Sequence, residues 1–99
     1  MADSIHHIAI QVDDIARAVD WYTEQFEVEV TYQDESWAML AFANMSLALV
    51  LPGQHPAHFA LEKQDAGLYG PLTRHRDGTT SVYIADPFSN AIELIQLPE

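Results

Sequence analysis

Between Ile5 and Val12 apolar and polar positions alternate. His7, Ala9 and Gln11 fall on one face and Ile8, Ile10 and Val12 on the other, the period of a strand with one apolar side. At Asp13-Asp14 the period changes, and either carboxylate suits a helix N-cap. Ile15, Ala18, Val19, Tyr22 and Phe26 then recur at three- and four-residue steps, which predicts an amphipathic helix of about three to four turns with Arg17, Asp20 and Glu24 toward solvent. Val28, Val30 and Tyr32 alternate with Glu29, Thr31 and Gln33. Asp34-Glu35-Ser36 turns the chain, residues 37–42 run back, Ala43-Asn44-Met45 turns it again, and residues 46–51 complete a strand–helix–strand–strand–strand unit. Pro52-Gly53-Gln54-His55-Pro56 interrupts regular structure.

The second half keeps the strands and loses most of the helix. Residues 57–61 read as a strand, whereas 62–71 hold Gly67, Gly70 and Pro71, too many breakers for more than a turn or so of helix. Residues 72–76 and 79–85 flank Asp77-Gly78, a two-residue hairpin signal. Asp86-Pro87-Phe88-Ser89-Asn90 is a tight turn, and residues 91–97 form the last strand. The first unit's helix is expected to cover Ile8, Ile10 and Val12. Ala57, Phe59, Leu61, Ile92 and Leu94 have no such cover, so this face predicts a homodimer contact unless Leu68, Tyr69 and the chain ends fold over it.

The chain also repeats itself. His7-Ile8-Ala9-Ile10 returns as His58-Phe59-Ala60-Leu61, and Ser46-Leu47-Ala48-Leu49-Val50 is answered by Ala91-Ile92-Glu93-Leu94-Ile95. Two copies of one supersecondary unit, module one over 1–51 and module two over 57–99, make a single domain. His7, His58 and Glu93 stand at related strand positions, and two imidazoles with one carboxylate are a metal-binding set. Fe(II) or Mn(II) suits it best, and Zn(II) and Ni(II) are also compatible. Glu93 lies among Ile92, Leu94 and Ile95, where a carboxylate needs a cation, either the metal or Arg74 or Arg76 across the sheet. His6 must point to the opposite side of its strand from His7, and His55 in the linker reads as solvated. Ala9 and Gln11 share the face of His7 and are expected to line a cavity. Trp37, Met39 and Phe42 read as core or cavity wall.

Composition narrows the partners. Fifteen acidic residues against four Lys and Arg give a net charge of −11, a surface that repels nucleic acid and anionic membranes. Cysteine is absent, which removes disulfides, thiolate ligands and cysteine nucleophiles. Neither a signal-peptide pattern at the start nor a membrane-length apolar run occurs, so a soluble cytoplasmic protein is expected.

These strings resemble the vicinal oxygen chelate superfamily of glyoxalases, bleomycin-resistance proteins and extradiol dioxygenases. The resemblance rests on His7-Ile8-Ala9-Ile10 followed by Val12-Asp13-Asp14-Ile15 and Asp20-Trp21-Tyr22, on His58-Phe59-Ala60-Leu61, and on Asp86-Pro87-Phe88-Ser89-Asn90-Ala91-Ile92-Glu93-Leu94. It implies an α+β fold of two βαβββ modules, the second lacking most of its helix, whose curved mixed sheet encloses a cavity with a divalent metal at its floor. The family's four ligand positions fall on His7, Ala48, His58 and Glu93. Ala48 cannot bind a metal, which sets the chain apart from the four-ligand glyoxalase I and methylmalonyl-CoA epimerase and beside the three-ligand members.

The resemblance further implies a small-molecule substrate bound through neighbouring oxygens and a dioxygenase-type or lyase-type reaction. Tyr83, ten residues ahead of Glu93, matches a tyrosine of the extradiol enzymes, and His75 on the preceding strand is a candidate proton donor. The extradiol enzymes are much larger than this chain, and the fosfomycin-resistance transferases need more basic groups than its four Lys and Arg. The alternative from another class is a metal-free protein like the bleomycin-resistance proteins, whose acidity would suit a cationic drug. Such a protein has no need of His7, His58 and Glu93.

Overall fold

In a computed structural model the chain forms an α+β fold of one α-helix and eight strands, over the described residues 1–98. The strands are β1 (Ile5–Gln11), β2 (Glu29–Gln33), β3 (Trp37–Ala41), β4 (Ser46–Val50), β5 (His58–Glu62), β6 (Thr73–Arg74), β7 (Thr80–Ala85) and β8 (Ala91–Gln96). The helix α1 is Ile15–Gln25. The chain divides into two compact units, His7–Ala57 and residues 1–6 with His58 onward. Residues 1–6, placed by the sequence in module one, belong with the second unit. There the Ser4 carbonyl accepts the Glu62 amide at 3.0 Å and the Lys63 ammonium lies 3.4 Å from Asp3.

In the first unit the strand order is β2-β3-β4-β1, with β1 parallel to β4 and the other neighbours antiparallel. Asp14 caps α1 by accepting the Arg17 amide at 3.1 Å. The helix buries Ile15 and Val19 against Ala38, Leu40 and Leu49, with Ile10, Val12, Tyr22 and Phe42 packed around them. Its eleven residues reach over Ile10 and Val12, while Ile8, expected beneath it, stays 42% exposed. On the other face Ala9, Ala48 and Val50 are buried with Trp37 and Met39 half-buried beside them. Phe42, grouped with Trp37 and Met39 in the sequence, packs on the helix side instead. Gln11 also departs from expectation: it is exposed and donates to the His55 carbonyl at 3.1 Å, pinning the linker.

The turn between β2 and β3 is organised by Asp34. One of its oxygens accepts the Ser36 amide and hydroxyl, each at 2.8 Å, and the Trp37 amide at 3.0 Å, and the other accepts the Tyr32 hydroxyl at 2.5 Å. Burial raises the pKa of this carboxyl, but the four donors outweigh it and hold the group well below the usual carboxylate range. The Tyr32 ring stacks on Trp37, centroids 4.0 Å apart, so the turn also fixes the aromatic wall.

In the second unit the order is β5-β8-β7-β6, again with the first and last strands of the unit, β5 and β8, parallel. A 3-10 turn, Ala66–Leu68, stands where the helix is missing. Ala66 packs on Val82 and Leu94 beside Leu61, Ile84 and Ile92, so part of the apolar face is covered by one small residue. Leu68 turns outward, 84% exposed.

The β6–β7 connection is not the two-residue hairpin that Asp77-Gly78 suggests. The His75 amide donates to the Thr79 carbonyl at 2.8 Å and the Gly78 amide to the His75 carbonyl at 3.1 Å, enclosing a three-residue loop. Gly78, at φ 91°, supplies the left-handed residue that such a loop requires. β6 is two residues long, and His75, expected within a strand, lies just past its end. In the β7–β8 turn, Asp86 accepts the amides of Phe88 and Asn90 at 2.8 and 2.9 Å, and Ser89 sits at φ 68°. Ser89→Gly relieves that conformation and is expected to stabilise the protein by about 0.5–1 kcal/mol, seen as a higher midpoint in a denaturant titration. An unchanged or lower midpoint would show that the serine is unstrained there.

Candidate metal centre

Strand register puts the two sequence repeats on equivalent sites. In the first unit Ala9 pairs with Ala48 across β1 and β4, and in the second Ala60 pairs with Glu93 across β5 and β8. His7 and His58 each stand two residues before that alanine. On the antiparallel side Ala48 faces Met39, and Glu93 faces Tyr83. The same framework therefore carries an apolar surface in the first unit and a cluster of polar side chains in the second.

Within the second unit that cluster is tight. His58 and Glu93 are 8% and 5% exposed, and His58 Nε2 lies 3.1 Å from Glu93 Oε1. The side chains meet because, in a parallel pair, His58 and the residue opposite Ala60 project from the same face two steps apart. The Tyr83 hydroxyl is 3.4 Å from the same His58 nitrogen, and the two rings meet edge to face at 5.0 Å. Burial pushes the Tyr83 phenol above its ordinary pKa, with the nearby Glu93 charge adding to the effect. His75 Nε2 lies 3.4 Å from the other carboxylate oxygen, Glu93 Oε2, and 2.6 Å from Ser81 Oγ. Hydrogen bonding to Glu93 raises the His75 pKa against the opposing effect of burial, with the charges of Glu93 and Asp77 adding to the rise.

Four of the five sequence-predicted groups lie in one unit. His58, Glu93, Tyr83 and His75 come together in the second unit, and His7, in the first, is 5% exposed on β1. Arg74 and Arg76, the cations the sequence offered as alternative partners for Glu93, are both exposed. Ser81, 1% exposed, escaped the sequence reading. Strand alternation would have found it, because residues 81 and 83 share a face of β7.

The donor chemistry suits a divalent cation. Two ligand atoms held at right angles about 2.1 Å from one ion stand roughly 3 Å apart, and His58 Nε2 and Glu93 Oε1 have that spacing without rearrangement. A carboxylate buried among Leu94 and Ile95 also calls for positive charge beside it.

The Glyoxalase/Bleomycin resistance protein/Dioxygenase superfamily model matches residues 4–67, a span that includes both His7 and His58 and ends before Glu93. No curated protein matches the sequence. Among solved structures, hypothetical protein BH1468 from Bacillus halodurans is similar over all of this chain and 97% of its own, at 14% identity and TM-score 0.74. A methylmalonyl-CoA epimerase from Streptomyces coelicolor, in complex with 2-nitronate-propionyl-CoA, is similar over 96% and 97% of the two chains, at 19% identity and TM-score 0.74. A lactoylglutathione lyase from Agrobacterium tumefaciens is similar over 97% and 95%, at 21% identity and TM-score 0.51. The structural likeness shows a shared fold and no more. Among the described residues no helix is long and apolar enough to cross a membrane.

Proposed function

The chain belongs to the Glyoxalase/Bleomycin resistance protein/Dioxygenase superfamily, and on that premise we propose that it is a divalent-metal enzyme acting on a small substrate that chelates through neighbouring oxygens. His7, His58 and Glu93 are its ligands, all buried and of the types that hold Fe(II) or Mn(II). The observation that carries the reading is the buried His58–Glu93 pair at 3.1 Å. The recurrence of its histidine at His7, in matching register, supports it. Bound there, the metal supplies Lewis acidity to a chelated diol or enediol oxygen, and three protein ligands leave coordination positions for it. Ala48 keeps the first unit from adding a fourth ligand, which favours a dioxygenase-type over an epimerase-type or lyase-type site.

The protein's own acid–base groups are Tyr83 and His75. The Tyr83 phenol, with its pKa raised, holds its proton through the neutral range, so it acts as a donor toward an oxygen bound near His58 Nε2. His75 lies against the outer oxygen of Glu93 and reaches the reaction through that carboxylate.

A bidentate probe tests the proposal without knowledge of the substrate. Protein loaded with Fe(II) under anaerobic conditions should bind 4-nitrocatechol with a shift of its absorption, and metal-free protein should not. Equal binding with and without metal would contradict the chelation reading.

One observation favours a second reading, a metal-free binder of cationic molecules in the cytoplasm. A hollow of about 570 Å³ in the first unit is lined by Asp13, Asp14, Asp34 and Glu35. Under that reading a cationic glycopeptide drug binds the metal-free protein tightly and the catechol does not bind. The proposal includes a homodimer, supported by Leu68 and Phe88, 84% and 82% exposed; a monomer mass in sedimentation at micromolar concentration would remove that part.

A further inference from the structure

The polar cluster of the second unit extends beyond the residues that the proposed chemistry needs. Ser81 is a polar side chain 1% exposed on β7, and its hydroxyl oxygen is 2.6 Å from His75 Nε2. The same nitrogen faces Glu93 Oε2 at 3.4 Å, while Glu93 Oε1 faces His58 at 3.1 Å. Each carboxylate oxygen therefore has one of the two imidazoles beside it.

The tautomer that carries its hydrogen on Nε2 satisfies this arrangement. A bare Nε2 would turn a lone pair toward the carboxylate it faces and repel it. An Nε2–H donates toward Ser81 Oγ and toward Glu93 Oε2 together. The loop geometry fixes where the ring stands: the His75 amide and carbonyl are both used to close the Arg76-Asp77-Gly78 turn. That turn is in turn held by Asp77, which accepts the Thr79 amide at 3.0 Å and the Thr79 hydroxyl at 2.7 Å. His75 is anchored by its backbone at the hairpin end and by its ring on a buried hydroxyl.

We propose that Ser81 and His75 form a positioning pair that holds Glu93 Oε2, so that Glu93 offers a cation only Oε1 and acts as a one-oxygen ligand. This rests on the metal-centre reading above and adds how its carboxylate is set. Ligating carboxylates held by a hydrogen bond from behind lose their freedom to swing into two-oxygen coordination. The pair thereby keeps open a coordination position that a second Glu93 oxygen would otherwise fill.

The test uses Co(II) and Mn(II) titrations of the full chain, with wild type, Ser81→Ala, His75→Ala, His75→Gln and the Ser81→Ala/His75→Ala double variant, each checked for an unchanged far-ultraviolet circular dichroism spectrum. Ser81→Ala and His75→Ala should each weaken Mn(II) binding by roughly 10–100-fold. The double variant should be no weaker than His75→Ala, since Ser81 acts through the imidazole. His75→Gln, which keeps an N–H near the same place, should recover much of the loss. The visible bands of the Co(II) forms of Ser81→Ala and His75→Ala should lose intensity as Glu93 adds its second oxygen and the coordination number rises. Wild type that binds metal while Ser81→Ala and His75→Ala bind it equally well, with unchanged Co(II) spectra, overturns the positioning pair and leaves the metal centre standing. Wild type that binds neither metal overturns both.

Discussion

Replacing His58 by Ala is expected to weaken Mn(II) binding by at least a hundredfold and to remove the stabilisation that the metal gives to the folded chain. A ligand that binds only the native state adds RT ln(1 + [L]/Kd), about 4 kcal/mol at a thousand times Kd. For wild type this should appear as a melting temperature that climbs with Mn(II) concentration. His58→Ala loses one of three ligands and should show almost no climb over the same range. The substitution also has a cost without metal, because it removes the imidazole that lies 3.1 Å from Glu93 Oε1 in a buried site. Losing a buried hydrogen bond to a charged group costs roughly 1.5–3 kcal/mol, so the variant should melt lower than wild type even in chelator. A variant whose melting follows Mn(II) as wild type does would show that His58 is no ligand.

Leu49→Ala is expected to destabilise the protein by about 3 kcal/mol, with no involvement of metal. Leu49 is fully buried on β4, in the cluster where Ile15 and Val19 of α1 meet Ala38 and Leu40 of β3. Its neighbours belong to several elements held by strand pairing and a capped helix, so the space left by the lost side chain cannot close by moving one of them. A domain of this size has about 5–15 kcal/mol in all, so the loss is a large share. Chemical denaturation at constant slope measures it, and a cost below about 1 kcal/mol would mean that α1 shifts to fill the space. Ala48 beside it points to the opposite face, into the cluster with Ala9 and Val50. One strand thus carries core packing on one side and the site-equivalent position on the other.

Periodicity made the elements legible because each strand and the helix has one apolar side to bury. The shift from alternation to three- and four-residue steps at Asp13-Asp14 marks the start of α1 to within a residue. The repeated histidine strings made the candidate residues legible too, since Ala48 and Glu93 hold equivalent register positions, each within its own unit. What the sequence concealed depends on contacts between segments. Asp77-Gly78 suits several loop lengths, and which one forms is decided by the pairing of His75 with Thr79. That choice moved His75 off its strand and onto Ser81. Gln11 has the strand parity of a lining residue, yet it is drawn away by the linker carbonyl of His55. The assignment of residues 1–6 to the second unit rests on Ser4 meeting Glu62 and Asp3 meeting Lys63, pairs that no local pattern reveals.

His7, His58 and Glu93 are proposed to bind one divalent ion together. Its most direct measurement is the metal content of protein purified without chelator and reloaded with Mn(II), for wild type and for His7→Ala, His58→Ala and Glu93→Ala. Wild type should hold about one ion per chain, and each of the three variants far less. No bound metal in wild type, or a full equivalent retained when His7 or Glu93 is removed, would contradict it.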